Sequence, residues 1–84
     1  MSVILPTIHM NGTSRASLLG DLIAAIDALR LAGEAVGRTV PNGRDYYPQG
    51  AEAFRQAQEA HAKRARDIDA VRRELNEIAE GIAT

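Results

Sequence analysis

Few residues in this chain are equipped for chemistry. His9 and His61 are the only histidines, and there is no cysteine. Two imidazoles this far apart fall short of the four ligands that close a structural zinc site. Without a thiol there is neither a disulfide nor thiolate chemistry. A catalytic base needs a nucleophile in reach and a group to orient it, and no residue pattern here supplies either. His61 falls on an apolar helical seam, where a lone histidine is expected to be a hydrogen-bonded structural residue. His9 has no metal-like spacing to it. No catalytic residue, metal ligand or cofactor site is therefore expected, and the chain reads as a non-enzyme.

The densest polar and aromatic group is Arg44-Asp45-Tyr46-Tyr47. With Phe54 it holds every aromatic residue of the protein. Tyrosine offers a large contact area with a polar tip at low entropic cost, so the chemistry of this group is recognition. One tyrosine is expected to pack back on Phe54 and the first helix, and the other to face outward.

Lys63-Arg64-Ala65-Arg66 and Arg72-Arg73 are interleaved with Asp67, Asp69, Glu74 and Glu77. That mixture predicts a solvated, ion-paired helix face. The net charge is -1, and neither half of the chain has the basic excess that phosphate binding requires. Thirteen residues separate Gly37 from Ala51, too many for the short turn of a DNA-reading helix-turn-helix. Direct nucleic-acid binding is not expected. No apolar run approaches the ~20 residues of a membrane span, and no secretory signal is visible. The expected place of synthesis is the cytoplasm of the producing cell, with no membrane partner.

The elements that must position these groups come from 84 residues, one domain at most. Residues 1–12 read as an extended arm. Val3, Ile4, Leu5 and Ile8 favour extended backbone, and Pro6 pushes Leu5 away from helical angles. Two readings stay open: a tail lying over the helices, or an arm docking on a neighbour, as by adding a strand to a sheet edge.

Residues 13–84 read as a helical hairpin. Thr13 or Ser14 can cap a first helix over about 14–36. Leu18, Leu22, Ala25, Leu29, Ala32 and Val36 form its seam, with Leu19, Ile26 and Gly33 beside it. Asp27, Arg30 and Glu34 have the spacing of surface ion pairs. Gly20 or Gly33 would permit a close crossing, and Gly37 is the expected stop.

Pro41-Asn42-Gly43 is strong turn chemistry with residues tolerant of positive φ. Pro48 is expected to keep Tyr47 out of helical angles, which makes the loop stiff. A second helix over about 49–82 follows, with Pro48 in its first turn. Phe54, His61, Ile68, Leu75 and Ile82 recur along it every seven residues. It outreaches the first helix, and its free end, Leu75 to Ile82, is expected to overhang as an exposed apolar strip.

Two family resemblances bear on function. Arg66-Asp67-Ile68-Asp69-Ala70-Val71-Arg72-Arg73-Glu74-Leu75 looks like the first helix of the all-helical chorismate mutases. Those proteins carry it at the N-terminus, before two further helices, whereas here it closes the chain. Asn11-Gly12-Thr13-Ser14-Arg15 together with Pro41-Asn42-Gly43-Arg44-Asp45-Tyr46-Tyr47-Pro48-Gln49-Gly50 resembles a family of small helical proteins encoded among the virion structural genes of tailed bacteriophages and prophages. This second resemblance spans about residues 9–82 and departs at Ala16, where an acidic capping partner is expected.

The expected fold is all-α: an antiparallel two-helix hairpin with an extended N-terminal arm, completed by oligomerisation or by docking on a partner. The virion resemblance implies a minor structural component of a phage particle, bound to a head, portal or tail assembly. The expected contacts are Val3, Ile4, Leu5 and Ile8 of the arm, Arg44, Tyr46 and Tyr47 of the loop, and Leu75 and Ile82 of the seam. Pro41, Gly43, Pro48, Phe54 and His61 are expected to shape the loop and seam. The alternative is a small cytoplasmic helical-bundle regulator or adaptor. The expected partners are virion proteins, copies of this chain, or both.

Overall fold

The computed structural model describes residues 3–83. The first two residues of the expected arm and the last of the expected hairpin lie outside them. The regular secondary structure among the described residues is all helical. In order they form α1 (Arg15–Gly37), the single turn α2 (Gly43–Tyr46), a 3₁₀ turn (Tyr47–Gln49) and α3 (Ala51–Ala83). The connection expected as a plain loop is thus mostly helical turns. The molecule is elongated, 62 × 23 × 18 Å.

Helix α1 starts where its cap allows. Ser14 has extended backbone, and its hydroxyl accepts a 3.1 Å hydrogen bond from the Ser17 N–H. Such a cap contributes about 1 kcal/mol. The far end stops at Gly37 as expected, but without a positive φ there. Instead the Arg38 and Thr39 N–H groups donate to Ala35 and Val36 carbonyls, and the Thr39 hydroxyl also donates to Val36 at 2.7 Å. These tightened bonds satisfy the last free carbonyls, and Pro41 cannot supply an N–H to continue the helix.

The long helices pack side by side in opposite directions. At one end the Arg15 guanidinium donates from Nε to the Ile82 carbonyl at 2.7 Å. Further along, a Cβ on Gly33 would stand 4.0 Å from the Ile68 methyl Cγ2, in ordinary contact. Gly20 meets nothing within 4 Å, so of the two glycines only Gly33 faces α3.

That register overturns the expected overhang. Helix α3 has 33 residues against 23 in α1, a surplus of about 15 Å. The start of α1 lies level with the end of α3, so the surplus falls at the connected end, over the first turns of α3. There α2 and the 3₁₀ turn lie against it. The connection is long enough to fold along α3 rather than cap it. Leu75–Ile82 is therefore covered, and Ile82, only 4% exposed, is the most buried described side chain.

Candidate interaction site

The connection is built from its two prolines and two asparagine contacts. Asn42 caps α2: its Oδ1 accepts the Arg44 N–H at 2.9 Å, and its carbonyl accepts the Asp45 N–H at 3.0 Å. Asn42 has φ -109°, so this residue serves as a helix cap and not as the positive-φ turn residue expected. Tyr47 also differs from expectation. Its backbone is helical, φ -58° and ψ -31°, directly before Pro48. A following proline disfavours that conformation without forbidding it. Here it is held by the Gly50 N–H donating to the Tyr47 carbonyl at 3.1 Å. Pro48 sits in the 3₁₀ turn, not in α3.

The two tyrosines diverge. Tyr46 tilts against Phe54, with ring centroids 6.2 Å apart at 31°, a geometry in the favourable range for aromatic pairs. Gly43 is packed on the same ring, 3.6 Å from where its Cβ would be. Tyr47 points away and is 78% exposed. One ring closes the connected end and the other is presented to solvent. Arg44 beside them is exposed, and Pro41 is half-buried.

At the opposite end the arm folds back on its own chain. Among residues 3–9 there is neither helix nor strand. Leu5 lies over Gly81 so closely that a Cβ there would stand 2.6 Å from Leu5 Cδ1. Val3 and Ile8 are half-buried, whereas Ile4 is 93% exposed and Met10 96%. The arm thus covers the end of α3 with one set of side chains and exposes the other. A Gly81→Ala chain should keep its helix, because Ala gains about 1 kcal/mol of helix propensity. It should displace the Leu5 methyl groups, which are the flexible tip of that side chain, seen as a change in their NMR shifts; unchanged shifts would mean that Leu5 does not rest on Gly81.

His61 is half-buried on α3, and its Nδ1 is buried with no hydrogen-bond partner among the described residues. The expected hydrogen-bonded histidine is therefore not found. An unpaired buried polar atom costs about 1–3 kcal/mol. His61→Leu should accordingly raise stability by about 1 kcal/mol in urea unfolding, and a loss of stability would reveal a partner for Nδ1.

A groove of about 400 Å³ separates the long helices at Leu29, Gly33, Ala65 and Ile68, with Arg30, Asp69 and Arg72 on its rim. It exists because Gly33 and Ala65 have little side chain to fill it. Its charges are matched: Arg30 bridges Asp27 at 2.9 Å and Glu34 at 3.0 Å, and Arg72 meets Asp69 at 2.7 Å. Of the expected cationic face, Lys63 pairs with Asp67, and Arg72 and Arg73 with Asp69, whereas Arg64 and Arg66 make no ion pair among the described residues. The hydrogen bond from Arg72 holds the Asp69 carboxyl below its ordinary pKa, as the bond from Arg55 does for Glu52. Both pKa values fall on folding, so their contribution is present above the unfolded carboxylate range and fades as pH falls through the folded values. Both groups face solvent, which keeps the effect small.

Among the described residues no cluster of three or more His, Asp or Glu could hold a metal ion, and no helix is long and apolar enough to cross a membrane. Comparison with known proteins adds no relative: no family model, no curated protein and no solved structure matches the chain. What the geometry offers is surface: an exposed tyrosine on a braced turn, and a half-exposed apolar arm.

Proposed function

We propose that this protein is a minor structural component of a tailed-phage virion, which attaches to a head, portal or tail assembly by surface burial and carries out no turnover. The observation that carries this reading is Tyr47, 78% exposed on a turn fixed by the Asn42 cap, the Tyr46–Phe54 pair and Pro48. A large aromatic side chain with only two torsions, carried on a braced turn, loses little entropy on binding, and tyrosines are enriched among the residues that dominate protein interfaces. Arg44 and the outward side chains of the arm, Ile4 and Met10, supply further contact. The likeness of the Asn11–Arg15 and Pro41–Gly50 motifs to phage structural proteins names the class of partner.

Tyr47→Ala tests it. The ring makes no contribution to the Tyr46–Phe54 packing, so the variant should melt within about 0.5 kcal/mol of the parent. It should nevertheless be lost from purified particles, with incorporation down at least about tenfold for a lost anchor residue. Particles from which the 9.0 kDa chain is absent even in parent form would overturn the virion assignment. Full incorporation of the variant would remove Tyr47 as the contact.

A further inference from the structure

Of the three asparagines, two stand directly before a glycine, Asn11-Gly12 and Asn42-Gly43. In such a pair the glycine nitrogen can attack the asparagine side-chain amide, because glycine has no Cβ to block the approach. The third, Asn76, precedes Glu77 within α3 and donates from Nδ2 to Glu80 at 2.9 Å. The two Asn-Gly pairs share their local chemistry, and the fold holds them differently.

Asn42-Gly43 is locked. The Asn42 Oδ1 accepts the Arg44 N–H at 2.9 Å, which fixes the side chain toward α2. Ring closure needs the glycine nitrogen close to eclipsing the asparagine Cβ, a near-attack geometry, and the Asn42 ψ of 130° turns it away. Gly43 is the first residue of α2 and packs on Phe54. Reaction there requires the cap broken and the turn lifted off α3.

Asn11-Gly12 is open. Residues His9 to Gly12 are all exposed. One backbone hydrogen bond closes their turn, from the Gly12 N–H to the His9 carbonyl at 3.1 Å. The asparagine side chains that make hydrogen bonds among the described residues are Asn42 and Asn76, so that of Asn11 is free to turn. The His9 imidazole stands beside the same glycine. A Cβ on Gly12 would be 2.8 Å from His9 Nε2, so Nε2 lies no more than about 5 Å from the Gly12 nitrogen, the span of one bridging water.

We propose that Asn11 is a site of self-modification, with His9 as the proton acceptor. The Gly12 nitrogen gives its proton through water to His9 and attacks Asn11 Cγ. A C–N bond forms, His9 returns the proton to the departing Asn11 nitrogen, ammonia leaves, and a succinimide ring remains. Water then opens the ring at either carbonyl, giving aspartate or isoaspartate. The net change is amide and water to carboxylic acid and ammonia, with no oxidant or reductant. Both products place a carboxylate three residues ahead of the Ser14 cap, and isoaspartate also lengthens by one carbon the backbone that joins the arm to α1. The site is independent of what Tyr47 binds.

The full chain, incubated at neutral pH and mapped as peptides by mass spectrometry, should show the amide-to-acid mass gain on Asn11 at least about tenfold faster than on Asn42. In urea the two should react at similar rates, because the contacts that separate them are gone. Equal rates in the folded chain would overturn the site. A tenfold preference that persists in urea would overturn the role of the fold. His9→Ala should slow Asn11 at least about threefold and leave Asn42 unchanged, whereas a change that merely loosened the turn would speed Asn11. An unchanged or faster rate in that variant would overturn His9 as the proton acceptor.

Discussion

An Ile82→Ala chain should lose about 2–4 kcal/mol of stability, the largest loss expected of any single truncation here. Ile82 is 4% exposed at the end of a 33-residue helix, a place where side chains ordinarily fray. It is buried because three separate parts of the chain meet over it. The arm lays Leu5 on Gly81, α1 begins alongside, and Arg15 ties its first turn to the Ile82 carbonyl. Truncation removes the buried apolar side chain and leaves a cavity in its place. Small domains have little stability to spare, so the variant should be partly unfolded at ordinary temperature. Urea unfolding followed by circular dichroism, at fixed chain concentration, measures it. Val71→Ala is the comparison: Val71 is 47% exposed, and its loss should stay below about 1 kcal/mol. Equal losses at the two positions would mean that the arm does not close over the end of α3.

Gly50→Ala should cost about 1–3 kcal/mol, for a different reason. Gly50 has φ 99° and ψ 163°, a region essentially confined to glycine. It is the one positive-φ residue among those described. A Cβ there would meet nothing within 4 Å, so packing plays no part and the whole cost is backbone strain. The conformation turns the chain out of the 3₁₀ turn and into α3. A residue with a side chain should relax that corner and move the Tyr47 turn off α3. Thermal unfolding should show the loss, and the Tyr46–Phe54 contact should weaken in the aromatic circular dichroism. A Gly50→Ala chain as stable as the parent would show that the corner is not fixed at positive φ.

Sequence alone determined the features that depend on neighbours along the chain. The helix start at Ser14, the ion pairs of Asp27, Arg30 and Glu34, the extent of both long helices and the pairing of Lys63, Arg72 and Arg73 all follow from spacings of two to four residues. One outward and one inward tyrosine was also legible, because Phe54 is the only other aromatic ring and can stack with one of them. Two local preferences are overridden in the fold. Tyr47 is helical before a proline because one hydrogen bond outweighs the steric bias, and Asn42 caps a turn instead of adopting positive φ.

What only the tertiary structure decided is the register of α1 on α3. The heptad of Phe54, His61, Ile68, Leu75 and Ile82 is equally apolar along its length, so it cannot say which end lies bare. The outcome depends on how thirteen residues between α1 and α3 spend their length. They fold along α3 as helical turns, shift α1 toward its far end, and bring Arg15 to Ile82. The arm then finds the small surface of Gly81, a contact between residues 76 positions apart. Side-chain periodicity encodes which face of a helix is apolar. The placement of one helix along another is set by the summed packing of residues distant in the chain, and no local spacing records it.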